Sequence, residues 1–85
     1  VSKAQSVQVI TMKDMKREEQ RLIIEIAKNP KDSKLYEVLG DLYIKTNNFS
    51  DAKESFEAAI ELSPNNEELQ KKLSQVAEKL NTKST

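Results

Sequence analysis

The fold of this chain is decided by the stretch LGDLYIKTNNFSDAKESF, residues 39–56. It contains Gly40, the single glycine among 85 residues, in a segment whose apolar spacing is helical. Glycine costs about 1 kcal/mol relative to alanine in the interior of a helix. We therefore expect another helix to approach Gly40 so closely that a larger side chain would not fit.

Two helices are predicted around the turn in this stretch. The first begins near Asp32 or Ser33, either of which can accept a hydrogen bond from the free amides of a first helical turn. Asn47 and Asn48 tolerate the left-handed conformation in which helices often end, and Ser50 is the expected N-cap of the second helix. Because the connection is short, the pair is predicted to be an antiparallel hairpin. The apolar stripes are Leu35, Val38, Leu39 and Leu42, with Tyr36 and Tyr43 beside them, on the first helix, and Ala52, Phe56, Ala59 and Ile60 on the second.

One further helix is expected on each side of the hairpin. The upstream helix begins near Thr11 and ends before Pro30, because the residue that precedes a proline avoids helical dihedral angles. The downstream helix follows a second break at Pro64 and opens with a capping pair, Asn65 and Glu68. Their apolar stripes are Leu22, Ile23, Ile26 and Ala27 upstream, and Leu69, Leu73, Val76, Ala77 and Leu80 downstream.

These patterns predict an all-α domain of four helices at residues 11–81, with the hairpin at 33–66 and a capping helix at 66–81. Residues 1–10 are predicted to be a flexible lead-in, with an extra turn or two of the next helix as the alternative. Residues 82–85 are predicted to be a disordered tail, since neither segment has an apolar stripe to bury. The charged segment KDMKREEQR, residues 13–21, is interpreted as a solvated helix face, with a docking surface as the alternative. Because the chain begins with Val1, we expect it to be part of a longer protein.

Eight positions of the hairpin have the residue types and the spacing of a known signature. They are Tyr36, Leu39, Gly40, Tyr43, Ala52, Phe56, Ala59 and Pro64. This pattern resembles the tetratricopeptide (TPR) repeat, a helix-turn-helix unit of about 34 residues, and it covers residues 33–66. The flanks resemble the family more loosely, since Gln70 and Ala77 replace aromatic residues downstream, as in a terminal solvating helix.

The resemblance implies a module that binds partner proteins or peptides on the concave surface lined by the first helix of the repeat. The candidate partner-binding residues on that helix are Lys34, Glu37, Asp41, Ile44 and Lys45. The TPR subgroup that binds the carboxylate tails of chaperones has lysine and asparagine where this chain has Glu37 and Asp41, which argues against that activity. Two carboxylates one helical turn apart instead favour a partner with basic residues. The alternative function is a structural element that homodimerises or caps a larger solenoid and binds no separate ligand.

Composition argues against several other classes of function. The 14 basic and 14 acidic residues give no net charge, and hence no overall basic field for nucleic acid. The chain has no histidine and no cysteine, which removes imidazole and thiol chemistry and the usual zinc ligands. Its four aromatic residues occupy packing positions rather than a base-stacking platform. We therefore expect no enzymatic activity, no cofactor, no metal site, and neither nucleic-acid binding nor membrane contact by this segment.

Overall fold

The computed structural model describes residues 12–84, which form four helices and no strand. Helix α1 spans Met12–Lys28, α2 Ser33–Lys45, α3 Phe49–Leu62 and α4 Glu67–Ser84. The predicted all-α class and the central hairpin of α2 and α3 are confirmed. The predicted lead-in at residues 1–10 and the expected helix start at Thr11 lie outside the described residues.

The connections before α2 and before α4 have the same construction. The amide of Asp32 donates to the carbonyl of Asn29, and the amide of Asn66 donates to the carbonyl of Ser63, each with an N···O distance of 3.1 Å. Each hydrogen bond closes a four-residue turn with proline at its second position, where the fixed dihedral angle of proline fits. The helix boundaries around the two connections also repeat after 34 residues. Helices α1 and α3 end at residues 28 and 62, and helices α2 and α4 begin at residues 33 and 67.

The last residue of each of these turns caps the next helix. Asp32 Oδ1 accepts from the amide two residues further on at 3.0 Å, and Asn66 Oδ1 accepts from the amide of Glu68 at 3.0 Å. The prediction of Asn65 as the cap of α4 is wrong, because Asn65 lies inside the turn and the helix begins only at Glu67. The polar side chain one residue later is the one that reaches the free amides.

The turn between α2 and α3 is made by Asn47, whose φ of 62° is the left-handed conformation predicted for this position. The prediction of Ser50 as the N-cap of α3 is wrong, since the helix begins at Phe49 and Asn48 occupies the capping position. The side-chain amide of Asn48 donates to Thr46 Oγ1 at 2.8 Å and makes no capping hydrogen bond to α3.

Helix α4 continues to Ser84, so the expected helix end at 81 and the disordered tail predicted from residue 82 are corrected. Residues 81–84 contain neither glycine nor proline, and nothing in their sequence interrupts the helical hydrogen bonds. Thr85 lies outside the described residues. The remaining domain limits stay predictions.

The larger core cluster lies between α3 and α4. Ala52, Phe56 and Ala59 of α3 are fully buried with Leu69 and Val76 of α4. These are residues of the two predicted stripes, and their burial shows that α4 covers the apolar face of the hairpin. Burial of this apolar surface stabilises the arrangement through the hydrophobic effect.

The smaller core cluster joins α1 to α2 and consists of Leu22, Leu39 and Leu42. The predicted stripe of α1 is only partly correct, because Ile23 is 49% exposed and Ala27 is also exposed. The reason is that α1 packs mainly on one helix, α2, so it buries a narrow stripe centred on Leu22.

The position of Gly40 is explained by Phe56. A Cβ atom added at Gly40 would lie 2.5 Å from Phe56 Cε1 and 2.8 Å from Cδ1 and Cζ, much closer than carbon atoms approach in proteins. Phe56 is fully buried, so its ring has no space into which it could shift. The predicted close approach of the two hairpin helices at Gly40 is therefore confirmed.

Candidate functional site

The five candidate residues of α2 differ in how accessible they are. Lys34 and Lys45 are exposed and Asp41 is half-buried. Glu37 is only 9% exposed, and Ile44 is half-buried against the core cluster between α3 and α4. Lys34, Asp41 and Lys45 are therefore the members of the set that a partner can reach directly, and the partner-binding role of all five stays a prediction.

Glu37 and Asp41 form ion pairs with a lysine of the same chain. Lys72 Nζ, on α4, donates to Glu37 Oε2 at 2.8 Å and to the two carboxylate oxygens of Asp41 at 3.1 and 3.2 Å. Lys34 Nζ lies 3.8 Å from Glu37 Oε1. Burial lowers the pKa of Lys72, but its hydrogen bonds to Glu37 and Asp41 outweigh this effect, and the net result is a raised pKa. The two carboxylates are thus held by a charged ammonium group that ties α2 to α4.

Lys72 was not among the residues predicted from the sequence. The signal that could have found it is the repeat length, since Lys72 follows Glu37 by 35 residues and Asp41 by 31. Residues separated by about one repeat lie on corresponding helices of neighbouring units, which run side by side. A basic residue about 34 positions after Glu37 and Asp41 was therefore a candidate partner for these two carboxylates.

A groove between α1 and α2 receives two of the candidate residues. This α1–α2 groove has a volume of about 410 Å³, and it is lined by Asp14, Met15, Glu18, Val38, Asp41, Leu42 and Lys45. Its apolar residues are Met15, Val38 and Leu42, and its other four residues are charged. Lys34, Glu37 and Ile44 are not among the lining residues, so the structure brings only Asp41 and Lys45 together at this site.

The charged segment at residues 13–21 is not a uniformly solvated face. Asp14, Met15 and Glu18 line the α1–α2 groove, and Glu18 is paired with Arg21. On another side of α1, Glu19 Oε2 accepts a hydrogen bond from the hydroxyl of Tyr43 at 2.6 Å, a contact that the sequence did not indicate. The interpretation of this segment as a solvated face is therefore corrected at Glu19, whose hydrogen bond to Tyr43 is partly buried, and it stays a prediction for the other residues.

Tyr43 is held in its neutral form by its surroundings. Burial raises the pKa of the Tyr43 hydroxyl, and the hydrogen bond to Glu19 raises it further, followed by the negative charges of Glu19, Asp51 and Glu54. The phenol donates one hydrogen bond, and its ring packs against both core clusters. Its position is thus structural, as was predicted for the aromatic residues.

Within residues 12–84, no group of three or more acidic, histidine or cysteine side chains is placed to hold a metal ion. In the same part of the chain, no helix is both long enough and apolar enough to cross a bilayer. The described residues form open grooves between the helices.

Residues 33–66 match the family model of the tetratricopeptide repeat. This is the segment that the eight signature positions predict. Repeats of this family generally bind proteins or peptides and are typically not catalytic. No curated protein and no solved structure shows significant similarity to the chain.

Proposed function

We infer that this chain, whose residues 33–66 are a tetratricopeptide repeat, is a scaffold module that binds a partner protein or peptide in the α1–α2 groove. The observation that carries this proposal is the composition of the groove. Val38 and Leu42 offer an apolar floor, and Asp41 and Lys45 stand beside it as charged groups of both signs. Such a combination provides burial for affinity and charge for orientation.

The charges of the groove favour a partner segment with basic residues. The lining residues include three acidic residues, Asp14, Glu18 and Asp41, and one basic residue, Lys45. Arg21 and Lys72, which are not among them, pair with Glu18 and Asp41. Charges at the edge of a binding site act mainly on the association rate and on its salt dependence. Binding should therefore weaken as the ionic strength rises above about 0.15 M, where the screening length is about 8 Å.

We assign no catalytic activity and no cofactor to this module. The support is the chemistry of the sequence, which has neither histidine nor cysteine and carries no net charge. The balanced charge is also the reason that we do not propose nucleic acid as a partner.

Selection of short peptides from a random display library tests the proposal. Enriched peptides would be synthesised, their affinities measured by fluorescence anisotropy, and their binding site mapped by amide chemical shifts of the labelled chain. We expect the largest shifts at Val38, Asp41 and Lys45. The double variant Asp41→Asn, Lys45→Gln should weaken binding about tenfold, equivalent to ~1.4 kcal/mol.

The matched control is Lys53→Gln with Glu57→Gln, which removes one charge of each sign from an ion pair on α3, outside the groove. This variant should bind the selected peptides as the parent chain does. If the two double variants lose affinity equally, or if no enriched peptide binds even at millimolar concentration, the groove is not the binding site.

A second candidate function, capping of a larger helical stack, is favoured by the polarity of α4. This helix buries Leu69 and Val76 against the hairpin. Its exposed residues are polar or charged, namely Glu67, Glu68, Gln70, Lys71, Ser74, Gln75, Glu78, Lys79 and Asn81. Terminal helices of solenoids need such an outer face for solubility. Sedimentation over a range of concentrations tests the related homodimer, since a concentration-dependent dimer without peptide binding would favour a purely structural role.

A further inference from the structure

A second groove lies on the side of α2 that faces away from Asp41 and Lys45. Tyr36, Leu39 and Tyr43 recur at a spacing that places them on one side of the helix, and they form the floor of this groove. Helix α1 contributes Ile23 to one wall, and α3 contributes the other wall. The cavity, here called the α1–α3 groove, has a volume of about 280 Å³ and is open to solvent.

The apolar part of this groove is accessible. Ile23 is 49% exposed, although it is a large aliphatic side chain, and Ala58 of α3 also lines the groove. The half-buried ring of Tyr36 extends this apolar surface, whereas Leu39 beneath it is buried. An aliphatic side chain from a partner would bury surface of Ile23 that the chain itself leaves in water.

The acidic part of the groove differs from that of the α1–α2 groove in one respect. Asp51 and Glu54 line the wall formed by α3, and no basic residue is among the lining residues of the described chain. The ion pairs found among residues 12–84 involve neither of these carboxylates. By contrast, Asp41 in the α1–α2 groove is paired with Lys72, and Glu18 is paired with Arg21.

We propose that the α1–α3 groove is a second docking surface, which binds an amphipathic partner segment with an aliphatic side chain against Ile23 and Ala58 and lysine or arginine against Asp51 and Glu54. Charge complementarity identifies the occupant, because its cations meet carboxylates that no lysine or arginine of the described chain neutralises. Tyr43, which lines the same groove, has a raised pKa, caused first by burial, then by Glu19, and to a smaller extent by the negative charges of Asp51 and Glu54. This surface is separate from the one proposed above, so one chain can hold two partners at once.

Two synthetic helical peptides serve as probes. They share one pattern of leucine residues, and their remaining positions are all lysine in the first peptide and all glutamate in the second. We expect saturable binding of the lysine peptide, measured by fluorescence anisotropy, and binding of the glutamate peptide at least about tenfold weaker. Affinity for the lysine peptide should fall as salt rises above about 0.15 M.

Neighbouring residues on α1 supply the apolar control. Ile23 and Ile24 are 49% and 56% exposed, but only Ile23 lines the groove. Ile23→Asn should lower the affinity for the lysine peptide about tenfold, whereas Ile24→Asn should change this affinity less than about twofold.

Helix α3 supplies the matched control for charge. Asp51→Asn with Glu54→Gln removes two negative charges from the groove, and Glu57→Gln with Glu61→Gln removes two from exposed positions of the same helix outside it. The variant with Asp51→Asn and Glu54→Gln should bind the lysine peptide about tenfold more weakly than the parent chain does. The control variant should retain most of the affinity. Circular dichroism of each variant verifies that the helices are intact.

Several results would overturn the proposal. These are the absence of saturable binding by the lysine peptide, equal losses in groove and control variants, and amide shifts concentrated at Asp41 and Lys45. A dimer of the chain that Ile23→Asn dissociates would also overturn it, because the occupant would then be a second copy. Failure of the α1–α2 groove to bind a selected peptide has no bearing on these measurements, so the two proposals can fail independently.

Discussion

At the scale of single residues, the contact between Gly40 and Phe56 decides whether the hairpin can close. Glycine to alanine at an unconstrained helical position stabilises a protein by about 1 kcal/mol. Here the added Cβ would lie 2.5 Å from the ring of the fully buried Phe56. We therefore expect Gly40→Ala to destabilise the fold by about 1–3 kcal/mol, measured by urea unfolding, because overpacking outweighs helix propensity.

Replacement of Phe56 by leucine provides the control for this prediction. In the Phe56→Leu background, the ring atoms nearest to Gly40 are absent, so Gly40→Ala should cost much less than in the parent chain. The difference between the two backgrounds is the coupling energy of the pair. An equal cost in both backgrounds would show that Phe56 is not the cause.

Tyr43 should make stability depend on pH in the alkaline range. An unfolded tyrosine ionises near pH 10, whereas burial and Glu19 raise the pKa of Tyr43 in the folded chain. The stabilisation by the neutral phenol is therefore complete below about pH 10 and is lost as the pH rises above it, because the unfolded state ionises first. At neutral pH we expect Tyr43→Phe to cost about 1 kcal/mol through loss of the hydrogen bond to Glu19.

The measurement is the difference in unfolding free energy between the parent chain and Tyr43→Phe from neutral pH to about pH 11. The difference should shrink above about pH 10. Titration of the lysines cancels in the comparison, because the two chains share them. A difference that is constant over the whole range would contradict the role assigned to the phenol.

The candidate site could be predicted only in part at this scale. The helical spacing of four residues placed Glu37 and Asp41 on one face of α2. It could not show that Glu37 is buried and bonded to Lys72, because Lys72 lies on another helix. The α1–α3 groove was equally inaccessible to sequence reasoning. Its residues come from three helices, and the exposure of Ile23 depends on how α1 lies against α2.

At the scale of helices, the turns were predicted better than the caps. A proline ends the preceding helix by its own geometry, so Pro30 and Pro64 located both breaks. The N-cap is the residue that directly precedes the first helical residue, and several neighbouring polar residues have the same preference for this position. Asn65 and Ser50 were therefore each misplaced by one or two positions from the observed caps.

Helix α4 makes with a glutamine the hydrogen bond that α2 makes with a tyrosine. The hydroxyl of Tyr36 donates a hydrogen bond to the carbonyl oxygen of Pro30 at 3.0 Å. The side-chain Nε2 of Gln70 donates one to the carbonyl oxygen of Pro64 at 2.8 Å. The two contacts are 34 residues apart in the chain. Sequence comparison counts Gln70 as a departure from the aromatic residue, whereas its hydrogen bond is the same.

Lys72 connects α2 and α4 by charge in addition to the apolar contact of α4 with α3. Lys72→Met removes the ammonium group and keeps most of the aliphatic stem, so it leaves Glu37 buried without its closest cation. We expect a loss of about 1–3 kcal/mol in urea unfolding, because a buried carboxylate that loses its partner retains its desolvation penalty. The ion pair between Lys34 Nζ and Glu37 Oε1, at 3.8 Å, remains in this variant and limits the loss of stability.

The control for this prediction is Lys53→Met, which breaks a pair with Glu57 on the surface of α3. Exposed pairs of this kind contribute about 0–1 kcal/mol. The double variant Glu37→Met, Lys72→Met should recover much of the stability lost in Lys72→Met, since no unpaired charge then remains buried. Equal effects of Lys72→Met and Lys53→Met would show that the link between α2 and α4 carries no special stability.

At the scale of the whole molecule, the apolar contacts divide into two clusters. One joins α3 and α4 around Phe56, and the other joins α1 and α2 around Leu22. Among the described residues, Tyr43 packs against both. Parts of a structure that share few buried apolar contacts can open locally without the rest.

This division predicts how the molecule opens. Leu22→Ala should remove the buried side chain that anchors α1, at a local cost of about 2–5 kcal/mol. In native-state hydrogen exchange, we expect the amides of α1 to lose protection by that amount, while the amides around Phe56 in α3 keep theirs. Ile24→Ala is the control, because Ile24 is exposed on the same helix and its loss should leave both sets of amides unchanged. If Leu22→Ala lowers protection equally in α1 and α3, the two clusters are one cooperative core. The two proposed docking surfaces on either side of α2 would then open and close together.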